Sequence, residues 1–130
     1  MHIHHIGYLV EDIGAAAEEF KNLGYTQSSA GIVRDDFRGI FICFMQMDGI
    51  LVELVSPAAD GSTVSGILKK KKAGPYHICY LSYDFEADVR TLTQQGFMVI
   101  QPPAPAVALQ NKSVAFLYSS HSGIIELLEK

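Results

Sequence analysis

Charge is scarce in this chain. Only 18% of its 130 residues are Asp, Glu, Lys or Arg, and 14 acidic side chains against 10 basic ones leave a net charge of −4. Such a surface gives a polyanion little to hold, so nucleic acid is not an expected partner. Long apolar runs are missing as well: the longest, Ile40 to Met45, falls far short of the roughly 20 residues that cross a bilayer. No cationic segment leads into an apolar one near the N-terminus, so no membrane association or export is expected and the expected location is the cytoplasm. Cysteine is limited to Cys43 and Cys79, both inside apolar alternating segments, which reads as reduced core thiols rather than a disulfide framework. With 5 prolines and 48% apolar residues the composition is that of a globular chain, large enough for one core and too short for two independent domains. A single domain over 1–130 is the expectation.

The sequence contains an internal repeat. A shift of 72 places lays His5-Ile-Gly-Tyr-Leu over His77-Ile-Cys-Tyr-Leu and brings Asp12 onto Asp84, Ala15 onto Ala87 and Gly24 onto Gly96; 7 of the 21 positions from His5 to Tyr25 are identical. Each copy reads as an alternating strand, an Asp that caps a helix, apolar residues at helical spacing and a Gly that stops it. The stripes are Ile13, Ala17, Phe20 and Phe85, Val89, Leu92, each one buried face for packing on a sheet.

Strand-like runs follow each helix: Thr26 to Val33, Gly39 to Met47 and Ile50 to Ser56 in the first copy, and Met98 to Ile100, Ser113 to Tyr118 and Gly123 to Leu128 in the second. Asp48-Gly49 and Ser122-Gly123 sit where hairpin turns are needed. The fold class is therefore α+β, with two tandem βαβββ modules, 1–57 and 75–130, joined by a linker over 58–74. That linker should hold a short helix, Thr63 to Lys70, capped by Ser62 or Asp60. Gln101 to Ala106, with three prolines, reads as a loop.

Four residues recur in paired positions. His5 and His77 lie on the first strand of each module; Glu53 in Leu51-Val-Glu-Leu-Val55 and Glu126 in Ile124-Ile-Glu-Leu-Leu128 lie in apolar last strands, 73 residues apart. A carboxylate inside an apolar strand is costly unless a cation or hydrogen-bond donors receive it, and the sequence makes that choice twice. One such His or Glu alone is usually structural, but four at repeat-related positions can converge. Two imidazoles and two carboxylates without thiolate suit one divalent ion, Co, Ni, Mn, Fe or a catalytic Zn, and not a closed structural zinc site.

Other features have plainer readings. Lys69 to Lys72 reads as a solvated helix end favoured by the helix dipole, or alternatively as a landing site for the phosphates of a coenzyme A thioester. Arg34 and Arg38, flanking Asp35, Asp36 and Phe37, read as a surface turn, or as a grip for a substrate carboxylate if they line the cavity. His2 and His4 have no partners in the repeat and resemble a purification-tag remnant.

Taken together, His4-His-Ile-Gly7, Val52-Glu-Leu-Val-Ser-Pro57, Ser62 to Cys79, Lys112-Ser-Val-Ala-Phe-Leu117 and Ile124-Ile-Glu-Leu-Leu-Glu129 resemble the vicinal oxygen chelate (glyoxalase, bleomycin resistance, dioxygenase) superfamily, and within it the methylmalonyl-CoA epimerases. The resemblance implies a curved mixed sheet around a metal-binding cavity, with His5, Glu53, His77 and Glu126 as ligands of one divalent ion and a homodimer as the assembly. It implies an isomerase that moves a proton next to a carbonyl through a metal-stabilised enediolate, with Glu126 as one base. The opposing base of the epimerases is a glutamate two residues before a glycine; here that glycine is Gly39 and the position holds Phe37, so Asp36 is the substitute. The family's Gly-Ala-His-Gly is Ala108-Leu-Gln-Asn111, and Tyr76 replaces a histidine. The expected substrates are an acyl-CoA thioester or, for a glyoxalase I-like lyase, a hemithioacetal; a third reading is a non-enzymatic, ligand-sequestering protein.

Overall fold

The computed structural model describes residues 1–130, with elements in the order β1 (His2–Leu9), α1 (Ile13–Leu23), β2 (Thr26–Asp35), β3 (Ile40–Met47), β4 (Ile50–Pro57), α2 (Ser65–Lys71), β5 (Gly74–Ser82), α3 (Phe85–Gln94), β6 (Met98–Ala106), β7 (Lys112–Ser119) and β8 (Gly123–Glu129). Strand, helix and three strands thus occur twice, in an α+β chain. Two compact units are formed, one of Ile6–Pro75 and one of Met1–His5 with Tyr76–Lys130. No helix is long and apolar enough to cross a membrane.

In the Ile6–Pro75 unit the strands are ordered β1-β4-β3-β2; β1 and β4 are parallel, with Gly7 opposite Glu53, and β3 is antiparallel to β4, with Phe44 also opposite Glu53. Asp12 caps α1 by accepting the Ala15 N–H at 3.0 Å, and the helix ends at Gly24 with φ 111°, a conformation that costs glycine nothing. Ile13, Ala16 and Ala17 of α1 pack with Cys43, Met45, Val52 and Leu54, and Phe20 lies against them. The β3–β4 turn is Asp48-Gly49 with φ 52° and 77°, the two positive angles that a two-residue hairpin of this twist requires. The α2 cap differs from expectation: Val64 occupies the cap position with no side-chain hydrogen bond, because Ser62 instead pairs its hydroxyl with that of Ser65 at 2.6 Å.

The other unit repeats the pattern in the order β5-β8-β7-β6, with β5 and β8 parallel. Asp84 accepts the Ala87 N–H at 3.4 Å, and Phe85, with Val89 and Leu92, packs α3 on Ala115, Leu117, Ile125 and Leu127. The expectation of a loop over Gln101 to Ala106 is corrected, since β6 continues through it. Register shifts between Val99 and Gln101 and between Gln101 and Ala104 absorb Pro102 and Pro103, and β6 is an edge strand, where a position whose N–H would face solvent has no ladder bond to lose. Neither Cys43 nor Cys79 is in a disulfide and both are buried, in keeping with reduced core thiols. Burial pushes the Cys43 thiol pKa up, so it is not an activated nucleophile.

Candidate metal centre

His77 lies on β5 opposite Ile124, and Cys79 lies opposite Glu126 of β8. In a parallel pair the residues in register share a face and every second residue returns to it, so His77 and Glu126 project together. His5, from β1, completes a group inside this unit. Its Nε2 is 3.2 Å from Nε2 of His77 and 3.1 Å from Oε2 of Glu126, while His77 Nε2 is 2.9 Å from the same oxygen. The residues are 1%, 3% and 2% exposed respectively, so solvent does not screen the arrangement. Phe116 stands edge-on to the His77 ring at a centroid distance of 5.3 Å, and Tyr76 stands edge-on at 4.5 Å; these rings wall the imidazole in.

Three polar atoms in a nearly equilateral triangle cannot all be satisfied by one another. With a hydrogen on each Nε2, two N–H groups confront each other; with a hydrogen on one, the bare nitrogen's lone pair still faces the carboxylate oxygen; with none, three lone pairs meet. A cation bound by all three atoms would remove the conflict. Ligand atoms about 2.1 Å from a metal lie about 3.0 Å apart across an octahedral edge and about 3.4 Å apart across a tetrahedral one, and the three separations fit the first spacing. The donors, two imidazoles and a carboxylate, suit a borderline first-row ion. Burial by itself would raise the Glu126 pKa, but the hydrogen bonds and charge attraction of His5 and His77 outweigh it and hold the carboxyl at about 2. It is therefore ionised at neutral pH, as a ligand must be.

Glu53 is buried in the middle of β4, in the Ile6–Pro75 unit, in register with Gly7 and Phe44. Asp36 lies in the turn between β2 and β3, its side chain 85% exposed and its Oδ1 accepting from Arg34 Nε at 2.6 Å. The neighbouring Asp35 behaves oppositely: it is buried, accepts the Arg38 backbone N–H at 3.0 Å and holds the buried Arg38 guanidinium at 2.9 Å. Arg38 is thus committed to Asp35. Ala108 and Leu109 fall in a short 3-10 turn, followed by Gln110 and Asn111, both at φ 59°. His4 gave no signal in the repeat, yet its ring touches that of His5, with Nδ1 atoms 2.8 Å apart.

Residues 4–116 match the family model of the Glyoxalase/Bleomycin resistance protein/Dioxygenase superfamily. The chain belongs to that superfamily. It is 31% identical over 119 residues to an ethylmalonyl-CoA/methylmalonyl-CoA epimerase of Cereibacter sphaeroides, covering 89% of this chain and 87% of the relative. A mitochondrial methylmalonyl-CoA epimerase of Homo sapiens is 27% identical over 128 residues, covering 96% and 72%. Among solved structures, methylmalonyl-CoA epimerase of Mycobacterium tuberculosis superposes with a TM-score of 0.84 at 23% identity, over 98% of this chain and 87% of that one. A Streptomyces coelicolor methylmalonyl-CoA epimerase in complex with 2-nitronate-propionyl-CoA gives 0.86 at 20% identity, over 100% and 94%. At those identities the structures show the fold, which is the one expected from the repeat. The relatives are epimerases, so the lyase and sequestering alternatives gain nothing from them.

Proposed function

We propose that this superfamily member is a divalent-metal-dependent epimerase of 2-substituted acyl-CoA thioesters, working by proton transfer at the carbon next to the thioester carbonyl. The observation that carries the reading is the buried triangle of His5, His77 and Glu126 in a chain whose curated relatives are named as such epimerases. Glu53 is the proposed fourth ligand. It is a buried carboxylate in an apolar strand, in register with Gly7, and Gly7 is two residues along β1 from His5 and so on the same side of that strand.

A divalent ion held by these residues supplies Lewis-acid stabilisation of the negative charge that develops on carbonyl oxygens when the adjacent carbon loses its proton. The chain supplies the rest. Glu126 turns Oε2 toward the imidazoles, which leaves its other oxygen to accept the proton. Its ionised state at neutral pH makes it available without a preceding proton loss. The apolar strand around it keeps water from competing for that proton. Asp36 is the proposed partner that returns a proton from the opposite face, replacing the glutamate whose position is Phe37. A homodimer completes the proposal.

The test is proton NMR of the cobalt-reconstituted protein with methylmalonyl-CoA in deuterated water, following the signal of the proton on the carbon between the two carbonyls. Rapid loss of that signal in the parent, slowed about 10²–10⁴-fold in Glu126→Gln, is the expected result. Cobalt bound with no exchange would overturn the epimerase assignment and turn the search to hemithioacetals.

A further inference from the structure

The two ring nitrogens of His5 have different neighbours. Nε2 faces His77 and Glu126, while Nδ1 lies 2.8 Å from Nδ1 of His4, with the two rings edge to face and their centroids 5.1 Å apart. At that separation one ring donates a hydrogen and the other accepts it. The far side of His5 decides which. To offer a lone pair to a cation, Nε2 must be bare, and a neutral imidazole then carries its one hydrogen on Nδ1. His5 Nδ1–H therefore donates to Nδ1 of His4, and His4 keeps its own hydrogen on Nε2.

We infer that His4 is a positioning residue of the metal centre, fixing the tautomer and ring orientation of His5. Behind most metal-bound imidazoles that part is played by a carboxylate, a carbonyl or water; here a neutral imidazole takes it and adds no charge to the buried group. The inference rests on the metal-centre reading above. The Cys79 thiol is the competing acceptor, since one ligand-type atom from each of His4, His5 and Cys79 lies within 4.8 Å of the others. Thiol sulfur accepts weakly, whereas the His4 nitrogen is at ordinary hydrogen-bond distance. On its outer side His4 lines a shallow surface cavity with Leu81, Leu109, Gln110 and Leu128, so trimming its ring opens that cavity rather than the core.

Two measurements on the cobalt-loaded protein test this. In proton NMR the ring N–H of a cobalt-bound histidine is displaced far from the ordinary range and vanishes as it exchanges with deuterium. The parent should show such a signal for His5 that exchanges slowly, because His4 covers it. His4→Ala should speed that exchange at least tenfold or so and weaken the cobalt Kd about 10–100-fold. His4→Asn, whose amide oxygen can accept the same hydrogen, should recover most of both, and Cys79→Ala should alter neither. His4→Ala within about threefold of the parent in both readouts would overturn the inference, as would Cys79→Ala reproducing the His4→Ala effect. A parent that takes up no cobalt would overturn the metal centre and this inference together; a parent that binds cobalt while His4→Ala matches it would overturn this inference alone.

Discussion

Two ion pairs in one turn offer a test of how burial, rather than distance, sets the strength of a charge contact. Arg34 and Asp36 are the closer pair, 2.6 Å apart, but their side chains are 54% and 85% exposed; Arg38 and Asp35 are 2.9 Å apart, with side chains 6% and 4% exposed. In the exposed pair water screens the attraction and already solvates both ions, so its coupling should be about 0.2–1 kcal/mol. The buried pair has lost that solvation, and removing one partner strands the other ion. Asp35→Ala also removes the acceptor of the Arg38 backbone N–H, so a loss of about 3–5 kcal/mol is expected. With a urea m-value of about 1–3 kcal/mol/M, a loss of ~3 kcal/mol lowers the unfolding midpoint by about 1 M or more. The assay is a pair of double-mutant cycles in urea, Asp35→Ala with Arg38→Met and Asp36→Ala with Arg34→Met. Cation–π contacts of Arg34 with Phe41 and of Arg38 with Phe37, each 5.5 Å from ring centre, cancel in the cycles, which isolate the pairwise term. A coupling for Arg34 and Asp36 equal to or above that for Arg38 and Asp35 would refute the reasoning.

Two further outcomes follow from the site. Glu126 has its pKa lowered from an ordinary 4.5 to about 2, so its ionised form stabilises the fold fully above about pH 4.5 and that contribution is lost as pH falls toward 2. The metal-free parent should accordingly lose stability over that window more steeply than Glu126→Gln, as read by urea midpoints at successive pH values; parallel curves would contradict the His5 and His77 contacts. The Asp36 assignment predicts that Asp36→Asn lowers epimerisation about 10²-fold or more while Glu126-driven deuterium exchange persists. A loss under about threefold, as a solvated carboxylate paired with Arg34 would give, removes that assignment.

Much of the fold was legible because it is encoded locally and encoded twice. Asp12 and Asp84 each sit one residue before an apolar helical stripe, and Asp48-Gly49 supplies the two positive φ angles of a hairpin, so helix starts and one turn could be placed without any tertiary contact. The repeat likewise singled out His5, His77, Glu53 and Glu126, because an ionisable side chain in an apolar strand needs a reason and the sequence repeats it at equivalent places. Two local rules failed for want of tertiary context. Three prolines argued for a loop, but whether a strand tolerates them depends on its being at an edge with bulges, which only the strand order and register of β6 decide. Ser62 looked like a cap until its hydroxyl found Ser65.

Burial decided what the sequence left undivided. Arg34, Asp35, Asp36 and Arg38 are four charges in five positions with no internal mark to sort them; the tertiary structure buries one pair and leaves the other in water, because β2 ends by turning Asp35 inward onto its own Arg38. His4 was passed over for the same reason. Strand alternation separates the ring of a residue from that of its neighbour, and nothing short of the folded side-chain geometry places Nδ1 of His4 against Nδ1 of His5. The residue types, their repeat and their strands are thus properties of the sequence, while the triangle of Nε2, Nε2 and Oε2 around which they gather exists only once β5, β8 and the start of β1 are brought together.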